Sequence, residues 1–256
     1  MSLIALATDF GNGLYVGEMK AVILSRAPRV RVVDLFHDVA PQGVLEGAFL
    51  LSKSWRFFPE NSIFVCVIDP GVGGDRRILA LRAYRRTFLA PDNGLLSFIP
   101  DTEVESLRAV RNRRLFLPEV SRTFHGRDIF SPVAAALARR LPLARVGPGL
   151  TGTTQPRIFL PSLSPRKTKK GWVGSVVHVD RFGNVVTNLD ASSRFSPIRS
   201  GRRVFRRCVR TYADAPLSRP VALKGAFGTW EIAVRNGNAA RQTGLRLGSP
   251  VGQENP

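Results

Sequence analysis

The chain has 256 residues, 44% of them hydrophobic and 22% charged, which suits one large globular domain or two modest ones. The formal net charge is +19, set by 38 Lys and Arg against 19 Asp and Glu. No apolar run reaches membrane-spanning length, and the two cysteines are too few for a disulfide framework.

The N-terminus lacks a basic leader and meets Asp9 early, so the sequence predicts a soluble, cytoplasmic protein. The charge invites a nucleic-acid reading. Its distribution weakens that reading, because much of the excess lies in Pro165–Lys170 and Ser200–Arg210 with no RNA- or DNA-binding signature beside them. Neither a specific nucleic-acid partner nor a membrane is expected; non-specific binding to polyanions is compatible with the charge.

Leu3–Ala7 reads as a strand ending in Thr8-Asp9-Phe10-Gly11, and Tyr15–Ala27 as a helix with Val16, Met19, Ile23 and Ala27 on one face. Arg31–Phe36 is a second strand, and Val44–Phe57 a second helix that Pro59 stops. Ile63–Ile68 follows, six apolar residues of which four are β-branched, a buried strand. This β-α-β-α-β order predicts a mostly parallel sheet with right-handed crossovers. Ile78–Ala83 and Thr87–Ala90 read as a strand pair leading to the turn Pro91-Asp92-Asn93-Gly94, and Asp128 as the cap of a helix reaching Arg140.

Beyond Gly147, proline, glycine, serine and cations mark a linker. Short strand candidates follow at Trp172–Val179, Val185–Leu189, Arg203–Val209, Val221–Leu223 and Ile232–Val234. The expected organisation is an α/β domain over 1–155, a linker over 156–171 and a small β-barrel over 172–256.

The chemistry concentrates at strand ends. After Ile68 come Asp69, a proline, the glycines Gly71, Gly73 and Gly74, then Arg76 and Arg77. A carboxylate at a strand's carboxyl end, followed by a glycine turn and paired cations, makes a candidate site in an open α/β sheet; a capped tight turn with solvated arginines explains the same letters. With Asp9, Asn93 and His125 it forms a polar set in the first domain. Asp180, Phe182 and Asn184, within His178–Asn184, form one in the second. Aromatic plus amide suits a nucleobase and an acid suits a ribose diol or amino group, while an Asx turn accounts for that segment taken alone. Gly71-Val72-Gly73-Gly74 does not extend to G-x-G-x-x-G, and there is no P-loop, no G-x-S-x-G and no H-E-x-x-H. Three histidines and two scattered cysteines give no metal-ligand spacing, so neither metal nor cofactor is expected.

Seven collinear segments then carry a resemblance: T-D-F-G with Y-V-G-E-M-K-A-V-I-L, V-V-D-L-F-H-D-V-A-P-Q, V-I-D-P-G-V-G-G-D-R-R, P-D-N-G-L-L, T-F-H-G-R-D-I-F-S-P-V-A, H-V-D-R-F-G-N-V-V-T-N and E-I-A-V-R-N-G-N-A-A. The sequence resembles the S-adenosyl-L-methionine (SAM) hydroxide adenosyltransferases, adenosine-forming SAM hydrolases related to the SAM-dependent fluorinase and chlorinase. The resemblance implies an N-terminal α/β domain, a C-terminal β-barrel, and a homotrimer with SAM between subunits. It places a catalytic Asp-Arg-His set on Asp69, Arg76 and His125, a ribose-binding acid on Asp9, and methionine and adenine contacts on Asp180, Phe182 and Asn184. SAM is then substrate rather than cofactor. A halogenase, or a protein that binds SAM or adenosine without turnover, are the alternatives.

Overall fold

A computed structural model describes residues 2–151, 157–192 and 194–254. They divide into two compact units, Met1–Leu160 and Pro161–Pro256. No helix among the described residues is long and apolar enough to cross a membrane.

The first unit runs β1 (Leu3–Thr8), α1 (Leu14–Arg26), β2 (Arg31–Phe36), α2 (Val44–Ser54), β3 (Ile63–Val67), β4 (Ile78–Ala83), β5 (Arg86–Pro91), β6 (Val104–Ala109) and α3 (Ser131–Ala138). The sheet order is β2-β1-β3-β5-β4-β6. Strands β2, β1, β3 and β5 are mutually parallel, and β4 and β6 add an antiparallel edge. Alternation along β3 decides the layers. Ile63, Val65 and Val67 join Val16, Met19 and Ile23 of α1 and Val133 and Ala134 of α3 in one buried cluster. Phe64 points the other way and stacks on Phe88 with ring centres 4.9 Å apart. Gly47 brings α2 so close that a Cβ there would lie 2.1 Å from the Ile68 side chain. The β4–β5 hairpin turns through Tyr84 and Arg85, both at positive φ, and Tyr84 stacks on Trp55 at 4.3 Å.

Two expectations need correcting in this unit. Helix α2 gives way at Ser54 to a 3-10 turn over Trp55–Phe57. Asp128 is not a helix cap: it lies inside a π-helical turn, Gly126–Phe130, that precedes α3, and its carboxylate accepts the Ser121 N–H at 2.8 Å. Strand β6 lies where the sequence predicts no element, because its exposed Glu105 and half-buried Arg108 obscure the strand pattern.

Residues 152–156, which include the first position of the expected linker, lie outside the described residues. Arg157 reaches the carbonyls of Leu96 and Ile99 and the Asp101 carboxylate, so its short segment is held to the first unit.

The second unit is mostly antiparallel and barrel-like: β7 (Arg166–Thr168), β8 (Gly171–Val179), β9 (Val185–Asp190), β10 (Ile198–Ser200), β11 (Arg203–Phe205), β12 (Cys208–Val209), β13 (Pro220–Lys224), β14 (Thr229–Val234), a one-turn helix α4 (Ala239–Thr243) and β15 (Pro250–Glu254), with β12 and β13 paired parallel. The strand path is β11-β10-β15-β8-β9-β14-β13-β12, with β7 on β8. Val176, Val185, Leu189, Ile198, Phe205, Trp230 and Ile232 fill the interior. The single strand expected over Arg203–Val209 is two, β11 and β12, broken at Arg206-Arg207.

Candidate active site

The parallel register puts the polar strand ends in one place. Thr8 of β1 pairs with Val67 of β3, and Val65 pairs with Leu89 of β5. Asp9, Asp69 and Asn93 therefore leave the sheet at the same carboxyl edge, where open α/β sheets hold their ligands.

Asp69 follows Ile68 at the end of β3, with its side chain only 4% exposed. Arg76 returns after the glycine turn, and its Nε donates to both Asp69 oxygens at 2.8 and 3.0 Å. Arg76 Nη2 also donates to Asp69 Oδ2, and it lies 2.9 Å from His125 Nδ1. A guanidinium has no acceptor, so Nδ1 must accept, which puts the proton of neutral His125 on Nε2. Burial first, then the Arg76 charge, holds the imidazole below the ordinary histidine range, against the pull of Asp69 and Asp128. The structure thus brings Asp69, Arg76 and His125 into one hydrogen-bonded cluster with Arg76 as its bridge.

The surroundings fix this cluster. Gly73 has φ of +79°, and a Cβ there would lie 2.2 Å from the Arg122 carbonyl oxygen. The glycine turn thereby packs directly under the segment that carries His125. On the far side, Asp128 takes Arg127 Nε at 2.7 Å, and Arg127 also reaches Glu18 at 2.9 Å. Burial pushes the Asp128 carboxyl up, but Arg127 and Ser121 outweigh it and hold it below the usual carboxylate range. Asn93 donates from Nδ2 to the Ile68 carbonyl at 2.8 Å and accepts the Leu95 N–H, so it pins the chain beside Asp69. Asp9 accepts the Gln42 N–H at 2.8 Å, a link between the loops after β1 and β2. Behind it, Thr8 Oγ1 meets His37 Nδ1 at 2.8 Å, and His37 Nε2 lies 3.0 Å from Asp34. Phe10, Tyr15 and Phe124 form an aromatic trio with ring centres 5.1 to 5.8 Å apart, next to the His125 turn.

In the second unit Asp180 builds an Asx turn. Its Oδ1 accepts the N–H groups of Phe182 and Asn184 at 2.9 and 2.8 Å, and its Oδ2 accepts Asn184 Nδ2 at 2.9 Å. Gly183, at φ of +83°, leaves room for the Asn238 side chain, which a Cβ would meet at 2.1 Å. The turn presents Phe182 with 76% of its surface exposed. Phe182, Asn184, Tyr212, Val234, Arg235 and Asn236 line a cleft of about 690 Å³. Beside it the Tyr212 hydroxyl donates to Glu231 at 2.6 Å, and burial raises both groups above their ordinary ranges. The sequence gives no candidate role to Tyr212, which lines the cleft, or to Glu231, which it bonds. Glu231 stands in the E-I-A-V-R-N-G-N-A-A segment, whereas Tyr212 is a lone aromatic behind a basic run with no signal of its own.

Strand ends that gather a charged cluster in one unit, and an aromatic-lined cleft in the other, define a protein that handles a small polar molecule. Comparison with known proteins specifies which kind. The SAM hydroxide adenosyltransferase N-terminal domain matches residues 4–147 and the corresponding C-terminal domain matches residues 174–252. The chain belongs to this family. It is 38% identical to the (R)-S-adenosyl-L-methionine hydrolase of Thermus thermophilus, with 95% of this chain and 96% of the relative covered. A fluorinase from Actinoplanes sp. is 30% identical over 73% of this chain and 71% of its own length. The crystal structure of an uncharacterized conserved protein from Thermotoga maritima superposes with a TM-score of 0.87 at 33% identity, covering 98% of this chain and all of that one.

Proposed function

We propose that the protein hydrolyses SAM to adenosine and L-methionine by attack of water at C5′. The observation that carries this reading is the Arg76 bridge between the Asp69 carboxylate and His125 Nδ1. In the reaction the water oxygen bonds to C5′ as the C5′–S bond breaks, and methionine leaves as a neutral thioether. The sulfonium makes that departure easy, so the difficult part is holding a weak nucleophile in line and removing its proton. Asp69 is read as the group that accepts the proton. His125, whose Nδ1 is taken by Arg76, offers Nε2–H and so orients the water rather than deprotonating it. Arg76 favours a hydroxide-like nucleophile electrostatically. Asp9 is read as the acid for the ribose diol, Asn93 as a further substrate-binding residue whose amide also ties its turn to the Ile68 carbonyl, and Asp180, Phe182 and Asn184 as contacts for methionine and adenine.

Incubation with SAM and chromatography of the products tests the reaction. Adenosine with methionine in equal amounts is expected. A 5′-halo-adenosine formed with added halide would make the chain a halogenase, and tight SAM binding without product would make it a binding protein. No metal or cofactor enters this scheme, so turnover is expected to survive dialysis against a strong chelator; a loss restored by one divalent ion would overturn it.

The active assembly is read as a homotrimer whose sites lie at subunit interfaces, supported by the family resemblance and by the division of the polar set between two units. Asp69→Ala and Asn184→Ala chains, each inactive alone, should regain activity when mixed under conditions of subunit exchange. A mixture that stays inactive despite proven exchange would exclude shared sites. A cytoplasmic location belongs to the same reading, supported by a substrate that is an intracellular metabolite.

A further inference from the structure

The charge that the catalytic reading leaves unused is concentrated in the second unit. Residues 161–256 hold 17 Lys and Arg against five Asp and Glu. Within them, 191–213 contains seven arginines and no carboxylate. Arg199 of β10 pairs with Glu254. Arg202, Arg203, Arg206, Arg207 and Arg210 are all exposed, and among the described residues none of the five forms an ion pair. Their placement follows from the topology. The strand path begins at β11 and ends at β12, so Arg206-Arg207, which joins them, crosses the seam of the barrel. Arg202 and Arg203 stand at the tip of the β10–β11 hairpin, where Ser200 pairs with Arg203. Phe205 between the pairs is buried in the core, which fixes the chain that carries them.

We propose that this strip binds the phosphate backbone of nucleic acid without regard to base sequence. Three features select that partner. The cations are arginines, whose planar forks suit phosphate oxygens better than a lysine's point charge. They are held on strands and a short connection rather than on an amphipathic helix. From 183 to 211 no large apolar side chain among the described residues is exposed to enter a bilayer. With no aromatic stacking platform in the strip, the contacts address phosphates and carry no sequence information. Arginines at a sheet edge also discourage edge-to-edge pairing, a role that one or two cations fill.

The test uses the full-length protein, a short fluorescein-labelled single-stranded RNA, a short duplex DNA, and phosphatidylserine vesicles. Both nucleic acids should bind, with log Kobs falling linearly against log salt. Replacing Arg202, Arg203, Arg206 and Arg207 together by Ser should weaken binding roughly tenfold or more near physiological salt and flatten the duplex slope by about three to four. SAM turnover and the melting temperature should stay at wild-type values. The matching fourfold Arg→Lys protein keeps the charge and should bind more weakly than wild type but more tightly than the Ser variant, with the salt slope retained, which separates a lost contact from a damaged fold. Equal binding by wild type and the Ser variant, binding to vesicles alone, or aggregation of the Ser variant with no nucleic-acid binding by the wild type would each overturn the proposal.

Discussion

Arg76 serves two partners with one guanidinium, and that makes it the least replaceable residue of the cluster. Lysine keeps the charge but cannot present two fixed N–H vectors. Arg76→Lys should therefore lower kcat by about 10²- to 10³-fold, in line with loss of a positioned electrostatic donor. Arg76→Ala leaves the Asp69 carboxylate buried and unpaired, which should cost about 3 kcal/mol of stability as well as activity, read by denaturant titration. His125 sets the pH response. Its folded value lies below the unfolded one near 6.5, so neutral imidazole is favoured in the native state. The stability it contributes is complete above that unfolded value and fades as pH falls through the lowered one. Protonation also turns Nδ1 from acceptor to donor and breaks the bond to Arg76. Activity should fall on the acid side with a midpoint below 6.5, and His125→Asn should abolish that limb; a midpoint above the ordinary histidine value would contradict the tautomer assigned. The residue types of this cluster were legible as letters, but the direction of the Arg76–His125 bond was not, since 49 positions separate the two.

Two short elements hold the cluster, and they differ in how visible they were. The glycine turn was evident from composition, yet three glycines in a row of letters do not say which one is obligatory. Gly73 is, because of its positive φ and the Arg122 carbonyl 2.2 Å from where a Cβ would go. Gly73→Ala should destabilise by about 1–2 kcal/mol or more from the left-handed strain alone, and it should lower turnover by displacing the His125 segment. Gly17→Ala, on the exposed face of α1 where nothing lies within 4 Å of a Cβ, is the control and should melt at or slightly above wild type. The π-helical turn was invisible in advance. An Asp after a Gly-Arg pair looks like a cap, and only the backbone path of Gly126–Phe130, with the bond of Asp128 back to Ser121, reveals a bulge. The edge strand β6 and the short interior strands β10 and β15 escaped for a related reason, since short or polar strands lack the apolar period that marks β1, β3 and β5.

For the whole molecule, the mostly parallel sheet followed from apolar periodicity, because strands buried on both faces leave little choice of residue. The antiparallel half was legible as a class but not as a path, since registers such as β15 against β8 join segments more than 70 residues apart and depend on packing rather than local pattern. The units also differ in their aromatic inventory. Trp55 is the one tryptophan of residues 1–160, while Trp172 and Trp230 belong to 161–256. Trp55 lies face to face with Tyr84, and Arg86 sits 5.2 Å from its ring. Its light emission therefore senses whether the β4–β5 hairpin and the end of α2 remain together. With Trp172 and Trp230 replaced by Phe, a fluorescence melt would follow the catalytic half alone, and a wild-type melt that splits into two steps would show the halves failing at different temperatures.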